Sequence, residues 1–240
     1  MTVQNIDKQA ILDAAKAWFR ETIAANHAKN TAKLAKQKAF NINPFLVTYL
    51  AQFLTGNSSP TSIAKALVYP RALGTSINTS FGQNSQKFTS EVLKSFGSVT
   101  PGIDIEFIDQ LDGNKKYCQL KAGPNTINKD DVRTVHNHFT DIKNLAKTNN
   151  LRIGLHDLVV GVLYGEPREL SGNYKSLTNQ YHYPVYVGKE FWHRLTGDED
   201  FYFLLAQALA SIAAEFDGTK LLEKTINDLA DTEMVKKLSS

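Results

Sequence analysis

The sequence predicts an α/β fold, a mixed central sheet flanked by helices with helical additions at both ends. Two observations carry that expectation. Apolar residues recur at helical spacing through much of the first hundred positions, then switch to strict alternation at Ile103, Ile105 and Phe107. From Ser85 onward the order of elements is helix, strand, hairpin, strand, helix, strand, which describes a compact α/β core.

Ile6 to about Lys38 reads as one or two amphipathic helices, with Ile6, Ala10, Ile11, Ala14, Ala17 and Trp18 on one face. Pro44 opens an apolar stretch, Phe45 to Leu54, expected to be helical and buried. Gly56 to Pro60 is a loop by composition, and Thr61 to Leu67 a short helix. Tyr69 to Gly82 holds Pro70, Gly74 and Gly82 and is expected to be an ordered loop. Phe88, Val92, Leu93 and Phe96 keep helical spacing over Ser85 to Phe96.

A half-buried strand follows from Ile103 to Ile108, then the hairpin turn Asp112-Gly113-Asn114, then a returning strand from Lys116 to Ala122. Pro124 breaks it, and Asn128 can cap a helix that runs to about Thr148, with Asp130 and Asp131 in its first turn. Leu151 to Tyr164 is β-rich, and Tyr181 to Gly188 can add a strand. Phe201 to Ala214 and Leu221 to Leu229 form a helical tail. The expected division is a basic helical region over 1–69, a core over 70–190 and a helical region packed on it over 191–240.

Composition narrows the function classes. A single cysteine, Cys118, excludes an internal disulfide and any Cys-rich zinc site, and fits a reducing compartment. Neither a signal peptide nor a membrane span is recognisable, so a cytoplasmic protein is expected. The net charge of +3 hides an asymmetry: residues 1–100 carry 11 Lys+Arg against 4 Asp+Glu, whereas the remainder is mildly acidic. A basic half suits a polyanion, because Lys and Arg neutralise phosphates and release counterions; a solvated helix face gives the same pattern. Lys16, Lys29, Lys33, Lys36, Lys38, Arg71 and Lys87 are the candidates for phosphate contact.

The chemistry-bearing residues lie on the hairpin. Asp104 offers a carboxylate at the start of one strand, and Gln119 and Lys121 share one face of the next because residues two apart on a strand point the same way. Cleaving a phosphodiester needs an activated water, a cation at the phosphoryl oxygens and help for the leaving oxygen. Mg²⁺ suits this role and takes oxygen ligands. His136 and His138, two apart on a helix, face different ways and read as core or surface histidines.

Pro101-Gly102-Ile103-Asp104 with Gln119-Leu120-Lys121 resembles the PD-(D/E)xK nuclease superfamily, in a variant with glutamine at the second acidic position. Gly82, Phe88, Glu91 and Gly97 look like the superfamily's preceding helix with its glutamate. More specifically, Asn43-Pro44-Phe45, Leu73 to Ser76, Gly102 to Asp109, Tyr117 to Asn128, Gly161 to Glu166 and Phe191-Trp192 are similar to type II restriction endonucleases of the PmeII kind.

The resemblance implies site-specific cleavage of double-stranded DNA with Mg²⁺, Mn²⁺ substituting, by a homodimer in a prokaryotic cell. A cognate DNA methyltransferase is implied in the same system without a stable complex. It also implies metal ligands in Asp104, Gln119 and the Leu120 carbonyl, with Glu91 and Glu106 as further candidates, and a catalytic Lys121. Asn125, Thr126 and Asn128 become candidates for DNA contact, although loop and cap chemistry also explains them. Two alternatives stay open at this point: a repair or recombination nuclease on the same core, and a non-catalytic DNA-binding descendant of a nuclease.

Overall fold

A computed structural model describes residues 6–148 and 153–239. In chain order the helices and strands are α1 (Lys8–Trp18), α2 (Ala25–Lys33), α3 (Pro44–Thr55), α4 (Pro60–Pro70), α5 (Ser76–Gln83), α6 (Ser85–Val92), β1 (Ile105–Ile108), β2 (Lys115–Lys121), α7 (Lys129–Thr148), β3 (Leu158–Val162), α8 (Gly172–Tyr181), β4 (Val185–Val187), α9 (Lys189–Thr196), α10 (Phe201–Ser211), α11 (Gly218–Ala230) and α12 (Glu233–Leu238). The expected β-rich stretch from Leu151 begins outside the described residues, and its strand is β3. Two helices, α8 and α9, were not expected from the sequence.

The chain forms two compact units whose borders differ from the expected ones at 69/70 and 190/191. One comprises Met1–Trp18 with Asn84–Leu209, the other Phe19–Gln83 with Ala210–Ser240. The first unit is built on a sheet in the order β1-β2-β3-β4, antiparallel between β1 and β2 and parallel beyond. Antiparallel pairing at one edge with a parallel interior is the mixed α/β arrangement the sequence predicts.

Strand β3 is buried along its whole length, as expected for a strand covered on both faces. One face packs Leu158, Val160 and Val162 against Val135, Phe139 and Ile142 of α7 and Tyr174 and Leu177 of α8. On the other, the edge-on ring contacts of Phe107 with Phe191, Phe191 with Trp192, and Trp192 with Phe88 join β1, α9 and α6. Asp109, with no solvent exposure, receives a hydrogen bond of 2.9 Å from Arg194, whose guanidinium lies 4.3 Å from the Tyr186 ring centre. That pairing fixes α9 to the end of β1 and satisfies a carboxylate that would be costly to bury alone.

The second unit buries Val47, Ala51, Ile63, Ala64, Val68 and Ala72 against Ile226, Leu229, Ala230 and Val235. Here the expected loop over Tyr69 to Gly82 is helical instead: α4 runs into a π turn at Arg71–Thr75 and then α5. Pro70 keeps helical angles (φ −62°, ψ −32°), and the wider turn restores pairing through the bond from Ser76 N–H to the Arg71 carbonyl. Burial of Val68 and Ala72 on one face keeps the segment helical through its proline and glycines.

The second correction concerns α3. Asn43 caps it by accepting from the Phe45 N–H, Pro44 occupies the first turn, and Gly56 ends it at φ +77°. Only Val47 and Ala51 are buried, however, whereas Phe45, Leu46, Tyr49, Leu50, Phe53 and Leu54 are exposed. An uncharged helix has been left with its larger face in water.

Candidate active site

Asp104 lies just before β1, where the ladder ends at Ile105 opposite Cys118. Its backbone N–H donates to the Cys118 carbonyl at 3.0 Å, and its Oδ2 accepts the Leu120 N–H at 2.6 Å. The carboxylate thus takes the place of a backbone acceptor, and holds Asp104 against the Gln119-Leu120-Lys121 run. A strand residue turns its N–H and C=O to the same side, so the Leu120 carbonyl emerges beside Asp104 as well.

Solvent reaches Asp104, yet protein crowds it on the remaining sides. Desolvation pushes its carboxyl above the ordinary carboxylate value, with the Leu120 N–H, Lys121 and His138 opposing the rise. Among the described residues the Lys121 ammonium makes no hydrogen bond or ion pair, so its charge is not consumed by another carboxylate.

Gln119 is almost fully buried, and its Nε2 lies 2.5 Å from the Gly102 carbonyl and 2.7 Å from His138 Nδ1. A carbonyl oxygen can only accept, so the atom facing it must be the amide nitrogen. The same NH₂ then donates to His138 Nδ1, which fixes the imidazole proton on Nε2. His138, read from sequence as core or surface, therefore belongs to the candidate site. Its signal was the αL-favouring Gly102 before Asp104, too slight to single out a histidine 36 positions later in the chain.

Other expected residues lie elsewhere. Glu106 has its Oε1 taken by Ser98 at 2.5 Å and Thr100 at 2.9 Å and its Oε2 by Lys115 at 2.6 Å. Burial alone would raise this carboxyl, but bonds from Lys115, Ser98 and Thr100 win and hold it below the ordinary value. These bonds clamp the loop before β1. Glu91 is exposed on α6 and pairs with Lys87 one turn away at 3.6 Å. Among the described residues no three His, Cys, Asp or Glu side chains gather as a metal-holding group. Cys118 is buried, and burial pushes its thiol well up, so it offers no thiolate.

The Asn128 side chain accepts from the Asp130 and Asp131 N–H groups, and the Asp131 carboxylate in turn accepts from the Asn128 N–H. This is the cap of α7. Thr126 donates to the Gly123 carbonyl at 2.8 Å and meets Tyr174 Oη at 3.2 Å, which shapes the turn after β2; Asn125 is exposed there. Lys36, Lys38 and Arg71 are exposed in the second unit. Arg71 and Lys33 line a cavity of about 340 Å³ with Asn30, Thr31 and Ser76, and among the described residues none of those lining it is acidic.

A mixed sheet flanked by helices, with a carboxylate and an acceptor-x-lysine brought together at one end of an antiparallel pair, defines the α/β restriction-endonuclease-like class. The family model "Type II restriction endonuclease EcoO109I" matches residues 14–217, and the chain belongs to that family. It is thus a type II restriction endonuclease by family, a nuclease acting on DNA; the match names EcoO109I, not the PmeII kind. No curated protein matches the chain. Among the described residues no helix is long and apolar enough to cross a membrane.

Proposed function

We propose that the protein hydrolyses phosphodiester bonds at a specific sequence in double-stranded DNA, as a Mg²⁺-dependent type II restriction endonuclease with a Gln-x-Lys variant of the superfamily motif. The single observation that carries this reading is the bond between Asp104 Oδ2 and the Leu120 N–H, which joins the carboxylate to the strand bearing Lys121. Asp104, the Gln119 side-chain oxygen and the Leu120 carbonyl would hold the metal; all are hard oxygen donors of the kind Mg²⁺ or Mn²⁺ takes. Bound there, the cation would polarise the phosphoryl oxygens. Lys121 positions the attacking water and stabilises charge on the phosphate, since its ammonium is free to do so.

Arg71 with Lys33, and the exposed Lys36, Lys38 and Lys87, are proposed as phosphate contacts. The partner of the site is a second copy of the chain, supported by the exposed apolar face of α3. A methyltransferase that protects the same site belongs to the proposal without stable association, as does a prokaryotic cytoplasm.

The test is incubation of a sequenced plasmid with the protein and Mg²⁺, with EDTA as control. Discrete fragments are expected, and their run-off sequencing gives the recognition site. Lys121→Ala should abolish cleavage while DNA binding stays within about tenfold, because one phosphate contact at most is lost. Smears or junction-specific nicks would favour a repair nuclease, and an intact plasmid with retarded mobility a binding module.

A further inference from the structure

We infer that His138 is a positioning residue of the nuclease site: together with the Gly102 carbonyl it holds the Gln119 amide by its nitrogen, so that the oxygen is the end offered to a cation. The inference rests on the nuclease reading of Asp104, Gln119 and Lys121, and it explains how a neutral side chain can serve where the superfamily has an acid.

An amide has two chemically opposite ends of nearly the same shape. Turned one way Gln119 presents a donor to the site, which repels a cation; turned the other way it presents an acceptor. Two acceptors bracket its nitrogen, the Gly102 carbonyl at 2.5 Å and His138 Nδ1 at 2.7 Å. Both amide hydrogens are thereby used, and the oxygen is turned away from Gly102 and His138. A flip would set that oxygen against the Gly102 carbonyl, which can only accept, and would oblige the His138 proton to move from Nε2 to Nδ1. Without His138 the second amide hydrogen would lose its partner, and the Gly102 carbonyl alone would hold the amide plane.

The histidine is itself fixed. Gly102 sits at φ +78°, and a Cβ built there would come within 2.6 Å of the His138 ring, so the imidazole packs into the space that glycine leaves. Gly102, His138 and Gln119 interlock, one from the loop before β1, one from α7 and one from β2.

Two variants of the full chain separate orientation from packing. His138→Phe keeps a ring against Gly102 and removes the acceptor; His138→Asn loses the ring but places an oxygen close to the position of Nδ1. In His138→Phe the side-chain amide ¹H–¹⁵N signals of Gln119 should lose the slow exchange of one hydrogen-bonded proton. Mn²⁺ affinity, read by electron paramagnetic resonance, should fall about tenfold or more, as for other residues that orient a metal ligand. Cleavage should fall with it, and metal-free DNA binding should stay within about threefold, since no phosphate contact is touched.

His138→Asn should recover the amide signals and most of the Mn²⁺ affinity. If His138→Phe leaves both unchanged, or His138→Asn is as defective as His138→Phe, the inference is overturned. These outcomes are separable from the parent reading: cleavage by Lys121→Ala at the wild-type rate would remove Lys121 and its hairpin as the catalytic site, whereas the amide signals still report whether His138 holds Gln119.

Discussion

Replacing Phe53 with glutamate on the open face of α3 should dissociate the proposed dimer without unfolding the chain. Phe45 is 87% exposed and Phe53 78%, and with Leu46, Tyr49, Leu50 and Leu54 they repeat every four residues along one side of the helix. At roughly 200 Å² for a large aromatic side chain, the six expose about 700 Å², near the ~800 Å² per partner of a standard interface. The stripe carries no charge and is continuous, so a second copy related by a two-fold axis can lay the same face against it.

Burying most of a phenylalanine is worth about 2 kcal/mol, and an isologous contact counts it twice. Phe53→Glu should therefore weaken the dimer by about 4 kcal/mol, roughly a thousandfold in Kd, before like-charge repulsion is added. Sedimentation equilibrium measures this directly. Because Phe53 is exposed within one chain, the thermal midpoint of the monomer should move little. A wild-type chain that stays monomeric at tens of micromolar, or a Phe53→Glu chain that dimerises as tightly as wild type, would refute the reasoning.

Two further outcomes follow from bonds at the hairpin. Gln119→Glu, which restores the superfamily's usual acid, should not raise cleavage: a carboxylate would face the Gly102 carbonyl acceptor to acceptor, costing about 1–3 kcal/mol of stability, and a differential scan should show a midpoint lowered by several degrees. Glu106 is held below the ordinary glutamate value, so its contribution is present above about pH 4.3 and lost as pH falls through its folded value. Glu106→Gln should cost about 1.5–3 kcal/mol at pH 7 in urea unfolding, with the gap to wild type closing in acid; a gap that widens in acid would contradict it.

Periodicity made much of the fold legible. The switch to alternation at Ile103, the Asp112-Gly113-Asn114 turn and the Asn128 cap locate β1, β2 and α7 to within two residues, because each depends on local spacing or local hydrogen bonding. Tyr69 to Gly82 was not legible. Its proline and glycines read as breakers, and what overrides them is burial of Val68 and Ala72 in a core completed by α11 and α12, some 150 residues later. Helix α3 failed in the opposite direction: an apolar stretch says that burial is wanted, and says nothing of whether the same chain supplies the cover.

For the site, what could be read was residue type and what could not was commitment. Asp104 and Glu106 are two apart on an edge strand and look equivalent in sequence, yet three donors consume the Glu106 oxygens whereas Asp104 spends one on the Leu120 N–H. Those donors come from Ser98, Thr100 and Lys115, so the distinction rests on a loop and a partner strand, not on the motif. Gln119 reverses the lesson. Read as a motif position it is a lost charge; read in three dimensions its nitrogen donates to both the Gly102 carbonyl and His138, and a glutamate would leave the Gly102 carbonyl unpaired. The Gln119 of the proposed Gln-x-Lys motif is therefore tied to the loop before β1 and to α7 together, and in the proposed site the negative charge offered to a cation comes from Asp104.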